Sequence, residues 1–412
     1  MAYTAVVIGG GIAGSASAIA LHKAGIRSVV YEAYDRTADN AGVFLTLAVN
    51  ALDALRSLDL DVGGLGFDTP RITITSGSGR KLGELPYGTA LPDGIVSRTV
   101  KRADLYGALR EQAISSGVRF EHGKRLVDAD NTGDGVRARF ADGTGDGVRA
   151  RFVDGTTAAG DLLIGADGLR SRTREIIDPR APGARYAGLL NTGGYARGIS
   201  VAGEPGMMNA LFGRRCFMAY TAHPNGEVWW VANPACATEP TPAELAAITP
   251  QEWRTRLTGL FRPDRGPAAD IIAATDKIFA GWNTYDLPAV PRWHHDRMII
   301  IGDAAHATAP SIGQGAAMAI EDAVVLAKCL RDNPSIPSAF ITYERLRRVR
   351  VERVVEQGKR TGEWKALNLI ARVPRDLIMS LAMKRMARTG NDPSQWIYDH
   401  HIDWDEPVRS SS

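Results

Sequence analysis

Three spaced glycines directly after a short apolar run constrain the fold of this chain most strongly. Residues 5–8 predict a buried strand, the glycines follow as G-x-G-x-x-G over residues 9–14, and a helix is predicted from there to about Lys23. The next predicted strand, residues 28–31, ends in Glu32, eighteen residues after the last glycine. At that separation a carboxylate can accept hydrogen bonds from the ribose of an adenine dinucleotide. The pattern indicates dinucleotide binding on a parallel sheet and does not distinguish FAD from NAD.

A second apolar run lies late in the chain and ends in a similar way. Residues 298–301 predict a strand buried on both faces, and Gly302 and Asp303 lie at its carboxyl end, where ligands of open α/β sheets bind. The helix predicted at 316–330 carries three charged residues, so nearly all of it must be buried. Its free N–H groups would suit a carbonyl group or an anion. The alternative, in which Asp303 caps a helix and the nearby glycines only form turns, stays open at this point.

A third motif lies between these two. Residues 161–164 again predict a buried strand, and Asp167, Ser171 and Arg174 follow in the order G-A-D-G-x-x-S-x-x-R. With the first G-x-G-x-x-G and the late G-D-A-A-H-x-x-x-P-x-x-G-Q-G, the sequence closely resembles the class A flavoprotein monooxygenases, which include para-hydroxybenzoate and salicylate hydroxylases and tetracycline-inactivating enzymes. The resemblance implies an α/β fold: a Rossmann-like FAD-binding domain, a second antiparallel-sheet substrate domain and C-terminal helices.

The resemblance also implies an FAD-dependent enzyme with NAD(P)H as a transient electron donor. Dioxygen would form a C4a-hydroperoxyflavin, and one oxygen atom would pass to an aromatic or polycyclic small molecule, as a hydroxylation. No side chain is assigned a catalytic role and no metal is expected, and His306 is interpreted as structural. The residues implied in FAD binding are Gly9, Gly11, Ile12, Ala13, Gly14, Glu32, Arg102, Asp167, Gly302, Asp303, Pro310, Gly313, Gln314, Gly315 and Ala316.

Short alternating strands predict a second, antiparallel sheet, and the resemblance implies that this sheet forms the substrate domain. Strands at 213–223 and 227–233 are joined through Pro-Asn-Gly, a strong hairpin signal. Their aromatic side chains suit an apolar guest, and Phe44, Tyr220 and Trp229 are named as candidate lining residues, although ordinary packing explains them almost as well. We expect an FAD-binding domain at 1–70, 98–182 and 282–360, a substrate domain at 71–97 and 183–281, and a C-terminal helical segment at 361–412.

Composition restricts the partners. The net charge of +3 in 412 residues gives no electrostatic argument for nucleic acid or an anionic membrane, and no uninterrupted run of eighteen apolar residues is present. Cys216, Cys236 and Cys329 show neither metal-ligand spacing nor a disulfide framework. We expect a cytoplasmic protein, monomeric or homodimeric, that binds a small molecule and neither binds nucleic acid nor inserts stably into membranes.

A tandem repeat and two basic helices complete the sequence. Residues 133–144 recur as 145–156 with one change. If both copies formed antiparallel strands, the chain would reach the strand that begins near Leu162 in the wrong direction, and that strand must stay parallel within the cofactor sheet. One copy is therefore predicted to form a protruding finger or loop. Binding of an acidic partner by the four repeat arginines is the alternative. Helices are predicted at 340–360, with Leu346, Val349 and Val351 as an apolar stripe, and at 374–386, docked on the cofactor domain through Ile378, Leu381 and Met386.

Two other functions share part of this pattern. A flavin-dependent halogenase or a reductase of isoprenoid double bonds has the first glycine motif, but the halogenase W-x-W-x-I-P signature is absent because Trp229 and Trp230 are adjacent. A flavin-binding protein with a partner-binding role is the other alternative. Oxygen uptake coupled to NAD(P)H oxidation would separate these functions.

Overall fold

The structure is a computed structural model that describes residues 3–35, 42–132, 147–308, 312–365 and 372–408. Its strands are β1 (Thr4–Ile8), β2 (Arg27–Tyr31), β3 (Phe44–Leu47), β4 (Phe67–Asp68), β5 (Arg71–Ser76), β6 (Lys81–Pro86), β7 (Arg98–Lys101), β8 (Arg119–Glu121), β9 (Leu126–Thr132), β10 (Gly147–Phe152), β11 (Thr157–Gly160), β12 (Leu162–Gly165), β13 (Arg185–Ala196), β14 (Met208–Phe212), β15 (Cys216–Ala222), β16 (Val228–Pro234), β17 (Thr275–Ile278), β18 (Trp282–Asp286), β19 (His294–His295) and β20 (Met298–Ile300). Its helices are α1 (Ile12–Lys23), α2 (Val49–Arg56), α3 (Arg102–Ser115), α4 (Arg172–Ile177), α5 (Pro242–Ala247), α6 (Pro250–Phe261), α7 (Ala268–Ala273), α8 (Asp303–His306), α9 (Gly315–Asp332), α10 (Ile336–Lys365), α11 (Arg372–Thr389) and α12 (Gln395–Tyr398).

A six-stranded sheet contains the three strands that precede the motifs. Its order is β19-β20-β12-β1-β2-β8, and every pair is parallel except β19 with β20. The chain extends the sheet in one direction from β1 through β2 to β8, and in the other direction from β12 to β20. Ligands of such sheets bind at the carboxyl ends of the strands where the order reverses, here between β1 and β12.

Glycines allow helix α1 to approach this reversal point closely. A Cβ atom on Gly14 would lie 1.8 Å from the carbonyl oxygen of Gly9. Gly9 itself has φ +99°, and its Cβ would lie 2.4 Å from the carbonyl oxygen of Ala166. Since both contacts are with backbone atoms, any larger residue would force α1 away from β1 and β12.

An eight-stranded sheet forms the second layer. Its path is β17-β13-β16-β15-β14-β5-β6, with β18 also paired to β13, and all its pairs are antiparallel except β14 with β5. The predicted hairpin is confirmed as β15 and β16. One face of the sheet packs on α6 and α7, where Met218, Tyr220 and Trp230 join Trp253 and Ile271 in one apolar cluster. The expected α/β class with a second, mainly antiparallel sheet is confirmed, whereas the domain boundaries stay a prediction.

The second copy of the tandem repeat supplies strand β10. This strand pairs antiparallel with β9 and with β11, and Arg151 pairs with Asp128 and Asp130. The first copy, with Arg137 and Arg139, lies outside the described residues. The protruding finger therefore stays a prediction.

Helices α10 and α11 correct two predictions about apolar faces. In α10, Val351 is buried as expected, but Leu346 and Val349 are 45% and 76% exposed, and Arg347 lies on the buried face instead. In α11, Ile378 and Leu381 are exposed, because the helix docks through Met379 and Met383.

The surface that α11 covers also differs from the prediction. It packs on β6 of the second sheet and not on the cofactor domain, and a Cβ on Gly83 would lie 2.6 Å from the Met383 side chain. The methionines of α11 are the side chains that fit this position, because an unbranched thioether can follow an irregular sheet surface.

None of the helices in the described part of the chain is both long and apolar enough to cross a membrane. The same residues contain no group of three or more His, Cys, Asp or Glu side chains placed to hold a metal ion.

Candidate active site

A cavity of about 690 Å³ lies between the two sheets. Its floor comes from the carboxyl ends of the parallel strands, its roof from the inner face of the eight-stranded sheet, and one side from α12 and the residues before it. A volume of this size falls within the range of small-molecule and cofactor sites. The three sequence motifs therefore meet at one cavity together with part of the second sheet.

Residues of the first and third motifs form the floor. Gly11, Ile12 and Ala13 line it at the start of α1, and Ala166 and Gly168 line it after β12. A Cβ on Gly11 would come within 3.4 Å of the Tyr106 ring, so a side chain here would narrow the space beside α3. The backbone thus lies open to a ligand where α1 begins.

Arg102 is the cation of this end of the cavity. Its Nη2 donates to the hydroxyl of Tyr106 at 3.3 Å, while its Nε is buried without a hydrogen-bond partner among the described residues. Burial alone would lower the pKa of Arg102, but Tyr106 and the carboxylate of Asp303 outweigh burial and raise the pKa. A buried donor without a partner is costly, so this guanidinium is suited to an anionic or hydroxyl-rich ligand.

The helix α9 presents its amino end to the same cavity. Gly313, Gly315 and Ala316 line the cavity, and the first turn of α9 contains no acidic residue. Gly313 has φ +65°, a backbone conformation that favours glycine. Unpaired N–H groups at such an end stabilise a nearby negative charge by about 0.3–2 kcal/mol.

Asp303 is held in place by a buried ion cluster behind it. Asp322 of α9 accepts a hydrogen bond from the backbone N–H of Gly302 at 2.9 Å, and its Oδ2 lies 2.5 Å from Nε2 of His306. Arg347 of α10 donates to Asp322 at 2.7 Å and to Glu321 at 2.6 Å. Burial would raise the pKa of Asp322, but His306 and Arg347 outweigh it and hold the pKa at about 2. His306 therefore contacts the buried ion cluster, and its structural role stays a prediction.

Several residues implied in FAD binding do not line the cavity. Gly9, Gly14 and Gly302 support the backbone, and Gln314 turns inward to accept from Asn50 at 3.1 Å. Pro310 lies outside the described residues.

The two carboxylates of the first and third motifs also lie off the cavity wall. Glu32 accepts from the N–H of Gly10 at 2.7 Å, beside the glycine loop. Asp167 accepts from Ser171 and Thr173 in its own turn, and burial, the largest influence, raises its pKa. Glu32 is thus adjacent to the dinucleotide end, whereas the hydrogen bonds of Asp167 organise the start of α4.

Of the three candidate pocket residues, Phe44 lines the cavity. Tyr220 does not, because its strand position places it on the opposite face, in the cluster with α6 and α7. Trp229 shares the cavity face with Val231, but the rings of Phe67 and Tyr195 cover it at 5.1 and 5.5 Å between centroids.

The roof is formed by residues that are not among the candidate lining residues. Alternation along the strand places Phe217 and Ala219 on one face, since residues two apart point the same way, and this face is the one toward the cavity. The apolar members of this face are Ile72, Ile74, Leu85, Met208, Ala210, Phe217, Ala219 and Val231. The polar members include Asn191 and Asn233, while Tyr87 and Tyr398 lie at the C-terminal side.

The residues present fit FAD. The glycine loop and Glu32 are placed for an adenine nucleotide, Arg102 offers an unpaired buried donor, and the amino end of α9 is free of acidic residues. The apolar roof faces these groups across the cavity.

Comparison with known proteins gives one family and several relatives. The profile of the family described as FAD binding domain matches residues 2–358. The aurachin C monooxygenase/isomerase of Stigmatella aurantiaca is 28% identical over 364 residues, which cover 87% of this chain and 89% of that protein. An FAD-dependent urate hydroxylase of Klebsiella pneumoniae is 30% identical over 366 residues, covering 86% and 88%.

Solved structures agree with these relatives. Klebsiella pneumoniae HpxO in complex with FAD and uric acid superposes with a TM-score of 0.79 at 25% identity, covering 94% of this chain and 95% of that one. A salicylate hydroxylase substrate complex has the same fold, with a TM-score of 0.74 at 21% identity and coverage of 97% and 96%. The resemblance drawn from the three motifs is confirmed.

Proposed function

The chain belongs to the FAD binding domain family, and from that membership we propose that it is an NAD(P)H-using monooxygenase that inserts one oxygen atom from O2 into an aromatic or polycyclic small molecule, by hydroxylation. Its cofactor is FAD, and it is an enzyme of the aromatic hydroxylase type. The observation that carries the proposal is a cavity that joins the flavin-binding motifs to an apolar sheet face.

The chain contributes binding, orientation and exclusion of water. Bound FAD supplies the electron and oxygen chemistry of the reaction. Arg102 would pair with an anionic part of the cofactor, and Asp303, in the turn tied to Asp322, would accept from its hydroxyl groups. The N–H groups at the start of α9 would stabilise negative charge on the bound cofactor. The roof would hold the substrate and exclude water.

The test separates cofactor binding from turnover. Purified protein reconstituted with FAD is expected to consume O2 with NADH or NADPH, faster when a substrate is present, and to release a product heavier by one oxygen. Asp303→Ala should leave the protein largely free of flavin, because the contact at the strand end is lost. The exposed Asp276→Ala is the control and should keep its FAD. An Asp303→Ala protein with wild-type flavin affinity contradicts the proposed site, and absence of any oxygenated product contradicts the reaction.

Further proposals concern location, assembly and domains. Cys216, Cys236 and Cys329 are thiols and not disulfides, which supports a cytoplasmic, reducing environment. We propose a monomer or homodimer, with the FAD-binding and substrate domains divided as the sequence predicts. Size-exclusion chromatography with light scattering tests the first of these, and limited proteolysis tests the second.

A further inference from the structure

The charges that line the cavity are distributed unevenly. Among the described lining residues, the charged side chains are Arg102, Asp303 and Asp392. The only cation of these, Arg102, lies beside Gly42 and Tyr106, next to the glycine loop. Asp392 lies on the C-terminal side, where it accepts from the N–H of Ser394. The roof face itself therefore offers no positive charge within the described part of the chain.

A neutral hydrogen-bonding chain takes the place of a charge on the roof. Asn233 donates to the side-chain oxygen of Asn191 at 2.6 Å, and Asn191 donates to the hydroxyl of Thr284 at 2.6 Å. The two asparagines are buried apart from their access to the cavity, and all three residues line it. Amide and hydroxyl groups both donate and accept, so they match a carbonyl, a ring N–H or a phenol without requiring charge.

The arginine in the adjoining cavity is already paired. This second cavity, of about 340 Å³, shares Leu85, Met386 and Tyr398 with the first. Arg71 lines it, but its Nε donates to Glu84 at 2.5 Å. A carboxylate arriving there would have to compete with Glu84 for the guanidinium.

We propose that the substrate is an uncharged, mainly apolar aromatic molecule whose polar edge hydrogen-bonds to Asn191 and Asn233, and that aromatic carboxylates are excluded. The proposal rests on the proposed function, since it concerns the substrate of the same site. A carboxylate on the apolar roof would lose its hydration without gaining a cation, while an amide would exchange water for the asparagines. Asn191 and Asn233 are thus specificity-determining residues.

Matched ligand pairs test the charge preference directly. The probes are 1-hydroxy-2-naphthamide against 1-hydroxy-2-naphthoate, and salicylamide against salicylate, titrated at neutral pH into the oxidised FAD-loaded enzyme while the flavin absorbance spectrum is recorded. We expect each amide to bind at least about tenfold more tightly than its carboxylate, since tenfold needs only a modest difference in binding free energy. Equal or tighter binding of either carboxylate overturns the proposal.

Introducing a cation on the roof is a second test of the charge preference. Val231 lies on the roof two residues from Asn233 and borders the cavity, so Val231→Arg would supply the missing positive charge there. We expect Val231→Arg to bind naphthoate at least about tenfold more tightly than Val231→Gln, the uncharged control of polar character. If a folded, flavin-loaded Val231→Arg protein binds naphthoate no more tightly than Val231→Gln, the lack of a cation on the roof does not explain weak carboxylate binding. The proposal is then overturned.

Loss of the amide pair gives a third readout. Asn233→Leu should weaken naphthamide binding about tenfold and leave binding of 2-methylnaphthalene, which forms no hydrogen bond, within about twofold. Equal weakening of both ligands would show a packing defect and reject the amide contact. These titrations use no NAD(P)H and no O2, so a failed monooxygenase assay and a failed charge preference are distinguishable.

Discussion

The two walls of the cavity are built from different kinds of interaction. Behind the amino end of α9, Glu321, Asp322 and Arg347 are buried as ions, each with an opposite charge within 2.8 Å. On the roof, the side chains are apolar or carry neutral amide and hydroxyl groups. One wall buries charge in fixed pairs, and the other buries none.

The difference reflects what each wall has to do. An ion cluster holds its side chains in fixed positions, because moving one of them leaves another buried charge without its partner, which costs free energy. Asp322 bonds the backbone of Gly302, so the cluster fixes the turn that presents Asp303. The roof works by shape and weak polarity, and its side chains can change size without leaving an unpaired charge. The cofactor side is therefore rigidly specified, and the substrate side is open to variation.

The largest effect is expected from removing the central cation. Arg347→Met leaves Glu321 and Asp322 buried with reduced compensation and should lower the free energy of unfolding by about 3–5 kcal/mol. Urea unfolding followed by tryptophan fluorescence measures the change. A loss below about 1 kcal/mol would show that the charge of Arg347 contributes no more to stability than an exposed ion pair does. Adding Asp322→Asn to this variant should restore part of the loss, since Glu321 keeps its ion pair with Arg350 at 2.8 Å and Asp322 is then no longer a buried charge.

Acid should weaken the ion-pair wall and not the roof. The folded-state pKa of Asp322 is about 2, below its ordinary value of 3.8, so ionised Asp322 stabilises the fold above the ordinary pKa. That contribution, about 2 kcal/mol, is lost as pH falls toward the folded-state pKa. Asp322→Asn should therefore be less stable than wild type at pH 6, and the gap should close between about pH 5 and pH 2. A gap that stays constant over this range would contradict the assignment.

A roof substitution should cost less and act on ligands. Phe217 packs edge-on against Phe212, with ring centroids 5.1 Å apart. Phe217→Leu should lower the free energy of unfolding by about 1–2 kcal/mol and weaken naphthamide binding, with the FAD content unchanged. Flavin content is read from absorbance and stability from urea unfolding. Loss of flavin in this variant would show that the roof and the ion-pair wall are coupled.

The smallest effect is expected from a surface pair on the same helix as Arg347. Arg360 and Glu356 are 3.0 Å apart, with 73% and 51% of their side chains exposed. Arg360→Met should change the free energy of unfolding by less than about 0.5 kcal/mol, because solvent screens an exposed pair. If Arg360→Met lowered the free energy of unfolding as much as Arg347→Met does, burial would not explain the large effect expected at Arg347.

Sequence alone predicted the floor of the cavity better than its roof. The glycine spacing and the Gly302-Asp303 turn encode local backbone geometry, so their positions follow from a few adjacent residues. Asn191 and Asn233 meet only because β13 and β16 pair in one register, which short stretches do not specify. Trp229 shows the same limit, since its face could be inferred but not the rings that cover it.

The ion-pair wall was hidden for another reason. Arg347 lies in a basic run of five arginines, of which Arg345 and Arg353 are exposed, and its acidic partners are in a different helix. Helical spacing identifies a common face for Arg347, Val351 and Val354, but a face containing arginine reads as exposed unless the buried acids of α9 are known to lie opposite.

The cavity takes its walls from residues between Gly11 and Tyr398. Contacts between residues so far apart in the chain form slowly, because distant segments must lose conformational entropy before any stabilising contact between them forms. A ligand that binds only the completed cavity stabilises the folded state, and this stabilisation increases with the ligand concentration. The supply of flavin in the host during expression should therefore help to decide how much of this chain accumulates in folded form.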